Sequence, residues 1–333
     1  MTIGAATVAF VVGAVVCLGT SWVFVSKLEM VGERFGYSEA SLGLLAALAA
    51  DTPEITAAVT ALLRHERAVG AGVVIGSNVF NLAALLGLGA VVAGRLQLHR
   101  KVVVLGGAVA IWMAAVCLIT VTRVVEPGAG LVLVLVVLVA YIVVLAGRRK
   151  VLRRIGLPWS WVTWLSNAVD EEELELVVAI RPAPARPRDT AVAAIALAVV
   201  VGAAVAMERG ASTLGQHYHV PGVVIGGLVL AAVTSLPNAV AAIYLASKGR
   251  GAAAFSTALN SNTLNVVAGL VLPATFLGLA RPSGQTVFIT AAYVGLTVVT
   301  LVLAFADRGL RRSAGWLIVA GYAAFVATVV VVS

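Results

Sequence analysis

LGLLAALAADTPEITAAVTA, residues 42–61, reads as a membrane-spanning helix with a polar break at its centre. Nearly every position is apolar, and about 20 such residues cover the roughly 30 Å of a bilayer's hydrocarbon core. Yet Asp51, Pro53 and Glu54 fall together in the middle. Proline removes a backbone donor and clashes with the preceding turn, which frees carbonyls. In lipid, freed carbonyls are tolerated only where they line a cavity or meet partners. An ionisable residue at that depth marks a functional site by default. The structural alternative, an ion pair, needs a buried Lys or Arg at the same level, and the apolar runs offer none. Two carboxylates beside loosened carbonyls form an oxygen-only environment, the kind that hard cations such as Ca²⁺ and Na⁺ take.

Moving outward, the break has a second copy. An ungapped offset of 184 residues pairs Gly43 with Gly227, Pro53 with Pro237, Ala57 with Ala241 and Ala58 with Ala242. It also pairs Ser77 with Ser261, Asn78 with Asn262 and Asn81 with Asn265. Apolar coincidences mean little in so apolar a chain, but Pro, Ser and Asn are uncommon here. Asn78 and Asn81, three apart, lie close to one helix face, as do Asn262 and Asn265. Ser77, Ser261, Thr234 and Ser235 add hydroxyls, and Asn238 follows Pro237 as Glu54 follows Pro53. One Asn or Ser in a membrane helix more commonly makes an interhelical hydrogen bond. The whole constellation, repeated at a fixed offset, points to coordination of a cation.

The rest of the chain sets these stretches in a membrane. Of its 333 residues 61% are hydrophobic and 11% charged, and mean hydropathy is +1.05, so lipid is the solvent for most of the surface. Apolar runs fall at 5–26, 39–63, 68–93, 102–122 and 128–147, then at 190–208, 219–247, 251–279, 285–306 and 313–332. This predicts an all-α polytopic membrane protein of ten transmembrane helices. Five crossings per half is odd, so the second half enters upside down, giving two inverted five-helix repeats, the usual architecture of secondary transporters. The repeats are 1–147, with its motifs in 42–86, and 190–333, with its motifs in 226–270. Between them, 148–189 holds a basic run, then Trp159, Trp161 and Trp164, then Glu171, Glu172, Glu173 and Glu175, and a proline-rich close. It reads as a linker with an interfacial helix.

Charge gives the orientation. Of 23 Lys and Arg, 18 fall in loops on one side, and the linker is among them. The positive-inside rule makes that side cytoplasmic and places both termini outside, in a plasma (cytoplasmic) membrane. The net charge of +8 is therefore topological rather than a nucleic-acid surface. No basic n-region precedes the first apolar run, which reads as a retained helix. Cys17 and Cys117 sit inside apolar runs and read as packing residues. An intramembrane protease would need a second catalytic Asp on another helix, and a zinc enzyme more than the loop pair His217 and His219.

With these residues in hand, the chain resembles the calcium/cation antiporter family, the sodium/calcium exchangers. The stretch from Leu42 to Ala61 together with GAGVVIGSNVFN (70–81) resembles the family's first repeat, and TSLPN (234–238) with LNSNTLN (259–265) its second. The resemblance implies alternating access, with the second, third, seventh and eighth helices forming the site and the first and sixth sliding as a gating pair. It implies Glu54, Asn81, Ser77, Thr234, Ser235, Ser261 and backbone near Ala50 as ligands. This chain departs from the family at three points. Asp51 stands where the family has a hydroxyl, Ala50 replaces a threonine, and Asn238 replaces a carboxylate. Asn265 stands where members carry Asp or Asn.

The expectation is a secondary-active antiporter moving Ca²⁺ or a related cation against Na⁺ or H⁺. Glu54 is the central ligand and Asp51 a second ligand or proton carrier, with Asn81 and Asn265 beside them. Two carboxylates one turn apart in a dry site repel until a cation or proton joins them, which opens proton coupling. No cofactor is expected beyond the transported Ca²⁺, Na⁺ or H⁺. Partners are the bilayer and inorganic cations, with no nucleic acid. Two alternatives stand beside this reading: a different monovalent or divalent cation, because Asn238 lacks charge, and a non-transporting ion sensor on the same fold.

Overall fold

The computed structural model describes residues 1–34, 47–146, 149–154, 156–179 and 187–331. Gly43, the N-terminal part of the run at 39–63 and most of the proline-rich stretch lie outside the described residues, as do the side chains of Glu171, Glu172, Glu173 and Glu175.

Helix α1 spans Ile3–Arg34, and residues 47–50 lead helically into α2, Thr52–Leu63. There follow α3 (Arg67–Ala93), strand β1 (Arg95–Gln97), α4 (Arg100–Val121) and α5 (Pro127–Ala146). The linker forms a short α6 (Arg149–Arg154) and α7 (Trp159–Ala179). Next come α8 (Pro187–His217), α9 (Gly222–Ser247), α10 (251–277), α11 (Gly284–Ala306), strand β2 (Gly309–Arg311) and α12 (Arg312–Val331). Among the described residues eight helices are long and apolar enough to cross a membrane: α1, α3, α4, α5, α8, α9, α11 and α12. Of the helices that carry the site, α2 is short in its described part, and α10 carries polar residues through its centre.

Helices α2, α3, α9 and α10 pack together at the middle, where α3 is almost wholly buried. Small residues allow this closeness, because membrane helices gain from backbone approach rather than from a hydrophobic driving force. Gly72 and Gly76 of α3 meet Gly226 and Gly227 of α9, and a methyl group on Gly76 would overlap the Gly227 backbone. Helices α1 and α8 form a separate antiparallel pair against this group. Gly13 faces the backbone of Ala203 and Met207, and Gly210 faces Ala6 and Phe10. Lys27 closes one end of the pair on Asp189 at 2.7 Å. The outer face of α1 presents exposed Val8, Val11, Val12 and Val15, as lipid contact requires.

The loops gather at two ends of the helices. At one end lie Lys27–Asp189, the β1–β2 ladder and the bond from Arg95 to the Asp307 carbonyl at 2.9 Å. At the other, Arg64 meets Glu66, and Arg123 donates to the Leu279 carbonyl at 2.6 Å.

Two features depart from the sequence expectation. A small antiparallel ladder interrupts the all-α plan, pairing Arg95 with Arg311 and Leu96 with Leu310. Its position explains it: two short loops lie side by side at one end, and their backbone groups satisfy each other. The run at 190–208 continues as helix to His217, so Glu208 lies inside α8. Glu208 thus joins Asp51 and Glu54 as a fully buried acidic residue. The linker's α7 is a 21-residue helix that packs on α4 and α10, burying Val162 and Ala168 while Trp159 and Trp161 stay exposed.

Candidate cation site

Each helix that contributes to the site is irregular where it does so. Asp51 is a turn residue at the start of α2, and Pro53 falls in the first turn that follows. Pro237 sits inside α9. Three π-helical segments, 82–88 in α3, 225–230 in α9 and 265–271 in α10, adjoin the polar residues. Such widened turns loosen backbone hydrogen bonding and are frequent at functional sites. The segments at 82–88 and 265–271 follow Asn81 and begin at Asn265, so the repeat extends to backbone irregularity.

All eleven candidate ligands are buried: Asp51, Glu54, Ser77, Asn78, Asn81, Thr234, Ser235, Asn238, Ser261, Asn262 and Asn265. Most of them form one hydrogen-bonded cluster. Glu54 accepts from Ser235 Oγ on one oxygen and from Asn265 Nδ2 on the other. Asp51 Oδ1 accepts from Asn238 Nδ2 at 2.7 Å and from Ser261 Oγ at 2.6 Å. Asn81 Nδ2 donates to Ser261 Oγ at 3.0 Å and to Asn262 Oδ1 at 3.1 Å. Both carboxylates thus take their bonds from neutral groups of the second repeat.

Asn78 and Asn262 do something the sequence did not single out. Asn78 Nδ2 donates to the Asn262 carbonyl at 3.2 Å, and Asn262 Nδ2 donates to the Asn78 carbonyl at 3.1 Å. This reciprocal clasp joins residues that the offset of 184 makes equivalent. Their side-chain oxygens accept from Asn265 and Asn81, respectively. They therefore hold the other two asparagines in place.

Thr234 turns away from the cluster. Its hydroxyl donates to the Leu230 carbonyl of its own helix at 2.8 Å. With Pro53 and Pro237 it lines a narrow crevice closed by Ala14, Cys17 and Leu18 of α1 and Met207 of α8. Both prolines therefore lie where the α1–α8 pair covers the site.

Four oxygens among the candidate ligands are buried with no hydrogen-bond partner: Asp51 Oδ2, Ser77 Oγ, Asn81 Oδ1 and Asn265 Oδ1. Buried polar atoms are almost always paired, because leaving one unpaired costs about 1–3 kcal/mol. One carboxylate, one hydroxyl and two amide oxygens are left without donors, and oxygens of these types are the ones hard cations take.

The comparisons bear on the same residues. A model of the sodium/calcium exchanger protein family matches residues 5–148 and 189–331, which include every residue of the cluster. The chain belongs to the sodium/calcium exchanger family. It is 35% identical over 89 residues to the putative antiporter CaxA of Alkalimonas amylolytica, covering 26% of this chain and 28% of that protein. The match thus spans less than a third of that relative's length. The fold is that of the sodium–calcium exchanger NCX_Mj, with a TM-score of 0.62 at 18% identity over 98% of this chain and 99% of that one. It is also that of the H⁺/Ca²⁺ exchanger CAX, with a TM-score of 0.68 at 12% identity over 94% and 80% of the two chains.

Within this exchanger-family chain, sequence reasoning missed Glu208 and the Tyr141–Asn260 contact. Glu208 accepts from Ser212 at 3.0 Å and lies 3.6 Å from Arg64. Its position next to Arg209 made it look like a helix end. Tyr141 donates to Asn260 Oδ1 at 3.1 Å, tying α5 to α10. Asn260 stands beside the quoted motif, but the partner could be found only in three dimensions.

Proposed function

We propose that this chain is a secondary-active cation antiporter that moves Ca²⁺ or a related cation against Na⁺ or H⁺ by alternating access. The observation that carries this reading is the set of four buried oxygens without hydrogen-bond partners, one of them on Asp51, among candidate ligands that include two buried carboxylates. An ion held there meets two carboxylates, so a divalent cation reaches formal neutrality when both are ionised. Protons compete for the same oxygens, which makes H⁺ a natural coupling ion alongside Na⁺. The membrane part consists of ten crossings in two inverted halves, with the linker and its basic residues cytoplasmic and both termini outside. Helices α1 and α8 slide as a unit over α2 and α9, supported by their tight mutual packing and by the proline-lined crevice beneath them.

The test is radiolabelled Ca²⁺ uptake into proteoliposomes under imposed Na⁺, K⁺ or H⁺ gradients. Uptake driven by a Na⁺ or H⁺ gradient and lost in Glu54→Gln supports the reading. Gradient-driven uptake that survives unchanged in Glu54→Gln overturns the site. The neutral amide at Asn238 favours a second reading, a monovalent or different divalent substrate. In that case the labelled ion competes poorly against Na⁺ or K⁺ in the same vesicles.

A further inference from the structure

The repeat makes Ser235 the counterpart of Asp51 and Asn238 the counterpart of Glu54. A site that obeyed this symmetry in its charges would carry its second carboxylate at 238, on α9. The chain carries it at 51, on α2. In space that is a short step, because Asn238 Nδ2 lies 2.7 Å from Asp51 Oδ1. The symmetry-related pair, Ser235 and Glu54, is in contact in the same way. Each contact therefore joins one carboxylate from the α2 region to one neutral group of α9, so both charges come from the same side of the repeat.

Ser261 strengthens the case. Its hydroxyl donates to Asp51 Oδ1 at 2.6 Å and accepts from Asn238 Nδ2 at 3.4 Å, so it sits between the two side chains. A hydroxyl can turn its proton toward either residue. The two side chains are also close in size, and Asp and Asn differ by one heavy-atom type with little change of shape. Glu54 has both oxygens engaged, whereas Asp51 leaves Oδ2 buried without a partner. The charged oxygen available to an ion therefore belongs to the 51–238 contact.

We infer that Asp51 and Asn238 form one interchangeable carboxylate position, shared between α2 and α9, which sets the affinity of the site for divalent cations. This deepens the antiporter reading and rests on it. Exchanging the two residues, Asp51→Asn with Asn238→Asp, reverses the hydrogen bond but keeps the heavy atoms, the charge and the Ser261 bridge. Asp51→Asn alone removes the charge. Asn238→Asp alone adds a third carboxylate beside the first two.

The experiment is binding of radiolabelled Ca²⁺ to the purified full-length chain in detergent, with Na⁺ as competitor, alongside thermal unfolding of each variant. Asp51→Asn is expected to weaken Ca²⁺ binding about tenfold or more. The exchanged double variant is expected to return to within about threefold of the wild type, because the exchange restores the charge to the 51–238 contact. A folded double variant that binds no better than Asp51→Asn overturns the inference, and so does a double variant that fails to fold, since an interchangeable pair must tolerate the exchange. Should Asp51→Asn alone not fold, the double variant is judged directly against the wild type by the same threefold criterion. A wild-type chain that binds neither Ca²⁺ nor Na⁺ overturns the antiporter reading as well. Binding by the wild type without recovery in the double variant overturns this inference alone.

Discussion

Glu54 and Asp51 are both fully buried, yet they are held differently, and that difference sets what each substitution does. Glu54→Gln keeps the shape, and its one amide oxygen can still accept from Asn265 while the Ser235 hydroxyl turns to accept from the new NH2, but it removes a charge from the ion's surroundings. Ca²⁺ binding is expected to fall about tenfold or more, or at least about 1.4 kcal/mol, with little change in thermal unfolding. Binding isotherms and melting curves on the same sample check both halves of this expectation. Asn78 and Asn262 behave in the opposite way. Asn78→Ala leaves the Asn262 carbonyl without its donor and frees Asn265 on one side, so stability drops by about 1–3 kcal/mol. An Asn78→Ala protein as stable as the wild type would remove the clasp from this account. At this scale the residue types were readable in advance, because Asp, Asn and Ser are rare in lipid and had to have a reason. Their division into ligands, clasp and helix-internal bonds was not readable, since it depends on which way each side chain points.

Elements meet at the site because certain turns are open and certain surfaces are bare. The α3–α9 crossing offers a sharp comparison between two glycines. A Cβ on Gly76 would collide with the backbone of Gly227, whereas a Cβ on Gly227 meets nothing closer than 3.5 Å. Gly76→Ala is therefore expected to cost about 1–3 kcal/mol or to abolish assembly, while Gly227→Ala is tolerated, as read by the monodisperse yield and melting temperature of each. The sequence alone treats both as small residues in an apolar run. At the outer rim of the α1–α8 pair, Arg64 at the end of α2 bonds Glu66 at 3.2 Å and approaches Glu208 of α8 at 3.6 Å. Glu208 is fully buried while Arg64 is exposed, so losing Arg64 removes a cation that faces a buried carboxylate. Glu208→Gln keeps the bond to Ser212 and relieves the burial of charge, so its effect on stability is small, whereas Arg64→Ala exposes the full cost of Glu208 and lowers the melting temperature.

For the molecule as a whole, the two ends differ in charge, and that difference makes a prediction about sidedness. Both native cysteines are buried, so introduced ones report cleanly. Arg281→Cys, exposed at one end, is expected to react with a membrane-impermeant maleimide on intact cells. Lys248→Cys, exposed at the other end, is expected to react only after permeabilisation. The opposite pattern would invert the orientation while leaving the fold untouched.

Lipid as the solvent, the prolines at 53 and 237 within apolar runs, the offset of 184 and the list of polar residues were all determined by the sequence itself. These properties are local or periodic, and composition, proline chemistry and repeat spacing report them without any contact being known. Only the tertiary structure decided that Asp51 touches Asn238, that Thr234 bonds its own helix, that Asn78 and Asn262 clasp each other, and that Glu208 is buried beside Arg64. The physical reason is that each of these depends on helix rotation and crossing. Those are set by bare glycine surfaces meeting across more than a hundred residues of chain, as at Gly76 and Gly227. The asymmetry of charge between the two repeats was visible in the sequence. Its near cancellation in space, across one hydrogen bond of 2.7 Å, was not.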